Sequence, residues 1–96
     1  MKAVVARMWG EPAMLEYTEV FPPALRPSQV LIDVKAIGCN FPDILMVQGK
    51  YQKKPSLPFS PGAEVAGVVR DVGPGVTQVG IGERVFALMD WGAYAE

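Results

Sequence analysis

Histidine is absent from this sequence, cysteine occurs once, and no uninterrupted apolar run approaches the ~18 residues that a membrane span needs. Without histidine the chain cannot by itself build a Ser-His-Asp or Cys-His catalytic group, and Cys39 alone cannot enclose a structural zinc. A lone cysteine also excludes an internal disulfide, which fits a reducing compartment. Neither sign of charge dominates. Nine Lys and Arg stand against ten Asp and Glu, leaving no electrostatic footprint for a nucleic-acid backbone. The opening Met1-Lys2-Ala3-Val4-Val5 turns polar at Arg7, too soon for a signal-peptide core. The expected address is the cytoplasm.

What is present is apolar and compact in pattern: half of the 96 residues are hydrophobic and a fifth charged, a balance that argues against intrinsic disorder. The length allows one domain at most, burying about two-thirds of its unfolded surface. Residues 2–8 (KAVVARM) read as a strand and Gly10-Glu11-Pro12-Ala13 as a turn. Residues 14–20 read as a half-exposed second strand, with Leu15 and Tyr17 set against Glu16 and Glu19. Pro22, Pro23 and Pro27 then make a stiff, extended connector. Residues 29–37 (QVLIDVKAI) form the clearest strand, ended by Gly38. A short helix is expected over 41–48, with Asn40 as N-cap, Pro42 and Asp43 in the first turn, and Gly49 closing it in the left-handed region.

Residues 50–61 (KYQKKPSLPFSP) form a polar, proline-broken loop. Strands follow over 63–72, with Gly67 as a bulge or close approach, and over 83–89. Residues 91–96 read as the opening of one more strand, and an ending there suggests a truncated chain. Five or six short strands with turn signals between them describe a mainly β barrel or sandwich carrying one small helix.

Few motifs carry chemistry. Gly73-Pro74-Gly75-Val76-Thr77-Gln78 looks toward the dinucleotide fingerprint, but its third glycine is missing and Pro74 removes an amide that would face phosphates. A hairpin turn is the better reading. Lys50, Lys53 and Lys54 around Tyr51 are read as a solvated loop rather than an anion site, and Cys39 as part-buried packing. Glu64, heading an apolar strand in Pro61-Gly62-Ala63-Glu64-Val65, is either a strand-end residue facing water or a carboxylate that needs partners. Asp43 in the first helical turn is favourable without any chemistry.

In register, several segments carry a resemblance: Met1-Lys2-Ala3-Val4-Val5, Ser28-Gln29-Val30-Leu31-Ile32 and Ala36-Ile37-Gly38-Cys39-Asn40-Phe41-Pro42-Asp43 lead it. Gly49-Lys50-Tyr51, residues 61–69 and Val72-Gly73-Pro74-Gly75-Val76 continue it, followed by Gly82-Glu83-Arg84-Val85 and Gly92-Ala93-Tyr94-Ala95-Glu96. Across its whole length the chain resembles the N-terminal GroES-like catalytic domain of the medium-chain dehydrogenase/reductase superfamily, in its quinone oxidoreductase-like branch. The resemblance implies a partly open GroES-like barrel, incomplete at residues 1–96, with the Rossmann domain of the family lying outside this sequence. Zinc-dependent relatives carry Cys and His where this chain has Asn40 and Ala63, so the resemblance implies a zinc-free relative.

Loss of zinc removes the usual stabiliser of a developing alkoxide, which favours acceptors that delocalise charge themselves. The implied reaction is hydride transfer from NADPH to a quinone or other conjugated carbonyl, with NADPH held mostly by the Rossmann domain. By the same resemblance Asn40 and Tyr51 are the catalytic donors, Asn40, Phe41 and Leu45 lie near the nicotinamide, and Asp43 and Glu64 support the pocket. A homodimer is expected of the full-length parent, and no activity of the 96 residues alone. A zinc-free 2-enoyl thioester reductase is the alternative within enzymes. A stand-alone GroES-like binding module is the alternative outside them, for which residues 49–61 would have to be the partner-binding loop.

Overall fold

A computed structural model describes residues 1–96. Five strands and one α-helix follow one another as β1 (Lys2–Val5), β2 (Glu16–Glu19), β3 (Val30–Ile37), α1 (Phe41–Val47), β4 (Glu64–Val72) and β5 (Arg84–Leu88). They form two open antiparallel sheets: β1 pairs with β2, and β4 lies between β3 and β5. The mainly β architecture with one short helix is the one expected from the strand and turn pattern.

β4 holds the larger sheet because its pattern has period two: Val65, Gly67 and Val69 are buried while Ala66 is exposed. Gly67 is the close approach expected of it. A Cβ built there would stand 2.1 Å from the backbone oxygen of Asp33, so β3 sits directly on the bare glycine. The β3–β4 register slips beside this point, between Val34 and Ala36.

Three elements differ from expectation by more than a residue at their ends. β1 stops at Val5, because Ala6 leaves it to form an isolated bridge with Phe59 (N–H to oxygen 2.8 and 3.1 Å). β2 starts only at Glu16, since Pro12 opens a single 3-10 turn over Pro12–Met14. Residues 91–96 make no strand, only the bridge Ala3–Ala95, yet their hydrogen bonds join the two sheets. The Val4 amide donates to the Tyr94 carbonyl at 2.8 Å and the Val34 amide to the Glu96 carbonyl at 3.0 Å.

Helix α1 is set by its caps. Asn40 is extended (φ −130°) at the N-cap, and Gly49 at φ 73° ends the helix with its amide bonded to the Met46 carbonyl. Met46 on its inner face packs with Ala6 and Phe59 as a small core, flanked by Trp9, Leu15, Tyr51 and Leu57. The ring centroids of Trp9 and Phe59 are 5.6 Å apart at 44°. That core anchors the segment after α1. Phe59 bridges Ala6, the Ser60 hydroxyl donates to the Val4 carbonyl at 2.8 Å, and the Lys54 ammonium lies 5.0 Å above the Trp9 ring. No helix is long and apolar enough to cross a membrane.

Candidate functional site

Where the N-terminus of α1, the segment after it and the turn beyond β5 meet, the surface opens into a cleft of about 220 Å³. Asn40, Asp43, Tyr51, Lys53 and Asp90 bring its polar atoms, and Pro42, Met46, Ala63 and Met89 its apolar wall. Three other hollows are larger. One of about 450 Å³ lies between β1 and β3 with chiefly aliphatic walls, one of about 350 Å³ lies along β5, and one of about 240 Å³ lies between β3 and residues 89–96. None joins a carboxamide and a phenol on an apolar floor, so size is a poorer guide than the convergence of donors.

Asn40 is placed by its capping role. Its amide N–H donates to Asp43 Oδ2 at 2.8 Å and the Asp43 amide returns a bond to the Asn40 carbonyl at 3.1 Å. The Asn40 side chain borders the cleft, and its carboxamide NH2 is a neutral donor of the kind an acceptor oxygen can use. Tyr51 is half-buried, its ring against the Met46 and Phe59 core and its residue bordering the cleft.

Asp43 is the one buried charged side chain, 6% exposed. Its Oδ2 also accepts a hydrogen bond from the Tyr94 hydroxyl at 3.1 Å, across 51 residues of sequence. Burial first, then hydrogen bonds to Cys39 and Asp43, push the Tyr94 phenol well above its ordinary value of 10.0. Sequence reasoning missed Tyr94, because nothing local in Gly92-Ala93-Tyr94 marks a partner for a helix N-terminus. Cys39 is exposed rather than part-buried as expected, since Gly38 ends the strand pairing one residue earlier.

A raised phenol pKa makes folding prefer the neutral form. Its contribution is therefore full below pH 10, the unfolded value, and drains away as pH rises above it. In an ultraviolet titration of the phenolates Tyr94 is expected to ionise well above pH 10, with stability falling above that pH. Tyr94→Phe should flatten that alkaline fall; a fall as steep in the variant as in the parent would refute the assignment.

The other expected site residues lie apart. Phe41 is 69% exposed, Leu45 is half-buried, and neither borders the cleft. Glu64 is half-buried in the hollow along β5, with Ile37, Phe86 and Leu88, and its side chain lies over Gly38. A Cβ at Gly38 would be 1.8 Å from Glu64 Oε1, so the bare glycine makes room for the carboxylate. The lysines of the segment are not simply solvated: Lys53 pairs with Asp90 at the cleft, and the hydrogen bond, then the charge, of Asp90 raises the Lys53 pKa.

Two absent groups can be tested against these residues. For zinc, a carboxamide at Asn40 and a methyl at Ala63 border the cleft, and no three His, Cys, Asp or Glu side chains come together. That donor set does not fit zinc. For a nicotinamide cofactor, the apolar floor and the Asn40 amide suit the edge of a flat ring. A pyrophosphate does not fit the start of α1, where the Asp43 carboxylate already takes the Asn40 N–H and would repel it.

Residues 26–95 match the family described as alcohol dehydrogenase GroES-like domain. Over 82 residues the chain is 44% identical to quinone oxidoreductase-like protein 2 of Mus musculus, covering 85% of this chain and 23% of that protein. A probable oxidoreductase from Mycobacterium abscessus superposes with TM-score 0.92 at 47% identity, over 100% of this chain and 30% of that one. Escherichia coli quinone oxidoreductase complexed with NADPH superposes with TM-score 0.92 at 35% identity, over 99% and 29%. The chain thus spans less than a third of the length of these relatives.

Proposed function

From the premise that the chain belongs to the alcohol dehydrogenase GroES-like domain family, within the quinone oxidoreductase-like part of the medium-chain dehydrogenase/reductase superfamily, we propose that it is the N-terminal part of a zinc-independent reductase using NADPH. The acceptor on this reading is a quinone or another conjugated carbonyl. The single observation that carries it is the cleft, which Asn40 and Tyr51 border together with Met46, Ala63 and Met89; on this reading the carboxamide and the phenol are its neutral donors.

When bound, NADPH supplies a hydride; with one proton from solvent, the hydride reduces a quinone to its hydroquinone, leaving NADP⁺. The work of this chain is to hold the acceptor. Two fixed donors beside an acceptor oxygen favour the negative charge that grows there, and such a donor contributes about 3–4 kcal/mol in a preorganised site. Asn40 is preorganised because the Asp43 carboxylate, itself fixed by Tyr94, holds its backbone. A quinone or enone spreads the same charge over its conjugated system, which is why the reading needs no metal ion.

The test is quinone-dependent NADPH oxidation by the full-length protein that contains these residues. Turnover of quinones above that of an enoyl thioester is expected, and none by residues 1–96 alone. A higher kcat/KM on the enoyl thioester would move the assignment to a thioester reductase.

A further inference from the structure

Three charged side chains border the cleft, and their pairing decides its polarity. Asp43 lies at the start of α1 with its Oδ2 taken by the Asn40 N–H and the Tyr94 hydroxyl. Lys53 comes from the segment after α1, and Asp90, 37 residues further on, from the turn beyond β5; their side chains form an ion pair at the cleft. Lys54 is turned toward Trp9 and does not border the cleft, nor does Lys50. The one cation within reach of a bound molecule is therefore already matched by an anion, and a second carboxylate lies behind it.

Resting on the reductase reading, we propose that Asp90 is a specificity-determining residue. By neutralising Lys53 it leaves the cleft without a cation to offer, so the site takes uncharged conjugated carbonyls in preference to acceptors carrying a carboxylate, sulfonate or phosphate near the ring. The mechanism is exclusion as much as attraction. An anionic acceptor would have to break the pair to use Lys53, and would meet the Asp43 and Asp90 charges while doing so. A neutral ring meets an apolar wall and two neutral donors, and loses nothing to either charge.

The experiment compares naphthoquinone with its benzo-ring sulfonate in the full-length protein, by kcat/KM and by equilibrium binding through tryptophan quenching without NADPH. Asp90→Asn frees Lys53 while keeping the shape of the side chain, and an exposed ion pair contributes little to folding, so the variant remains folded. The preference ratio of sulfonate to parent quinone is expected to rise about fivefold in this variant, in both readouts. The gain should shrink in high salt and vanish when Lys53→Met is added. An unchanged ratio in Asp90→Asn overturns the proposal. If no quinone is reduced but the binding ratio shifts, the reductase reading falls and the charge selection stands. If quinones are reduced and neither ratio shifts, the reverse holds. Failure of the uncharged naphthoquinone both to bind and to be reduced overturns both.

Discussion

Gly67→Val is expected to unfold the larger sheet. The new side chain begins with a Cβ that would be 2.1 Å from the Asp33 carbonyl oxygen and 2.7 Å from Ile32 Cγ2. The first contact is backbone, fixed by the β3–β4 ladder, so it cannot swing aside as a side-chain tip can. Either β3 lifts from β4 or the central strand bends, and both break the pairing on which the sheet rests. The expected loss is about 3 kcal/mol or more, a large part of a small domain's margin. Gly82→Ala is the contrast. Its φ of 91° costs about 1–2 kcal/mol for any L-residue, but nothing stands within 4 Å of the added carbon. Urea unfolding of both variants decides it. Equal midpoints for the two would mean that the Asp33 contact does not govern the sheet.

Replacing Asn40 should cost most in catalysis. Asn40→Ala removes the carboxamide donor, and kcat/KM for a quinone is expected to fall about 10²–10³-fold, as when a preorganised donor is lost elsewhere. The same change also removes an N-cap, worth about 1 kcal/mol, so stability falls with it. Asn40→Asp separates the two roles. Aspartate caps a helix as well as asparagine does, but as a carboxylate it only accepts hydrogen bonds and brings a negative charge to the acceptor oxygen. The expected result is a thermal stability at or above that of the alanine variant, the retained cap being set against repulsion from Asp43, with activity at or below that of the alanine variant. An aspartate variant with parental kcat/KM would remove Asn40 from the donor role and leave it a capping residue.

Much of the scaffold is legible in the residues themselves. β4 can be read from Val65, Gly67 and Val69, and α1 from Asn40, Pro42, Asp43 and Gly49, because strand period, capping and left-handed glycine are local and recur whatever lies around them. Element ends were less legible. Whether β1 continues past Val5 depends on Ala6 finding Phe59, 53 positions away, which no window around Arg7 and Met8 contains. For the same reason residues 91–96 read as the opening of a strand but form a tie between two sheets: their partners on β1 and β3 are distant in sequence and supply only a few bonds.

The site divides along the same line. By itself the sequence determined which chemistry is available: no imidazole, one thiol, and an asparagine beginning a helix, since residue types need no partner to be counted. The tertiary structure alone decided which groups share a space. It set Asn40 and Tyr51 on one cleft and Glu64 on another, gave the buried Asp43 its Tyr94, and matched Lys53 with Asp90. A buried or clustered charge persists only where a complementary group meets it, and such meetings are made by strands and turns distant in sequence that packing brings together.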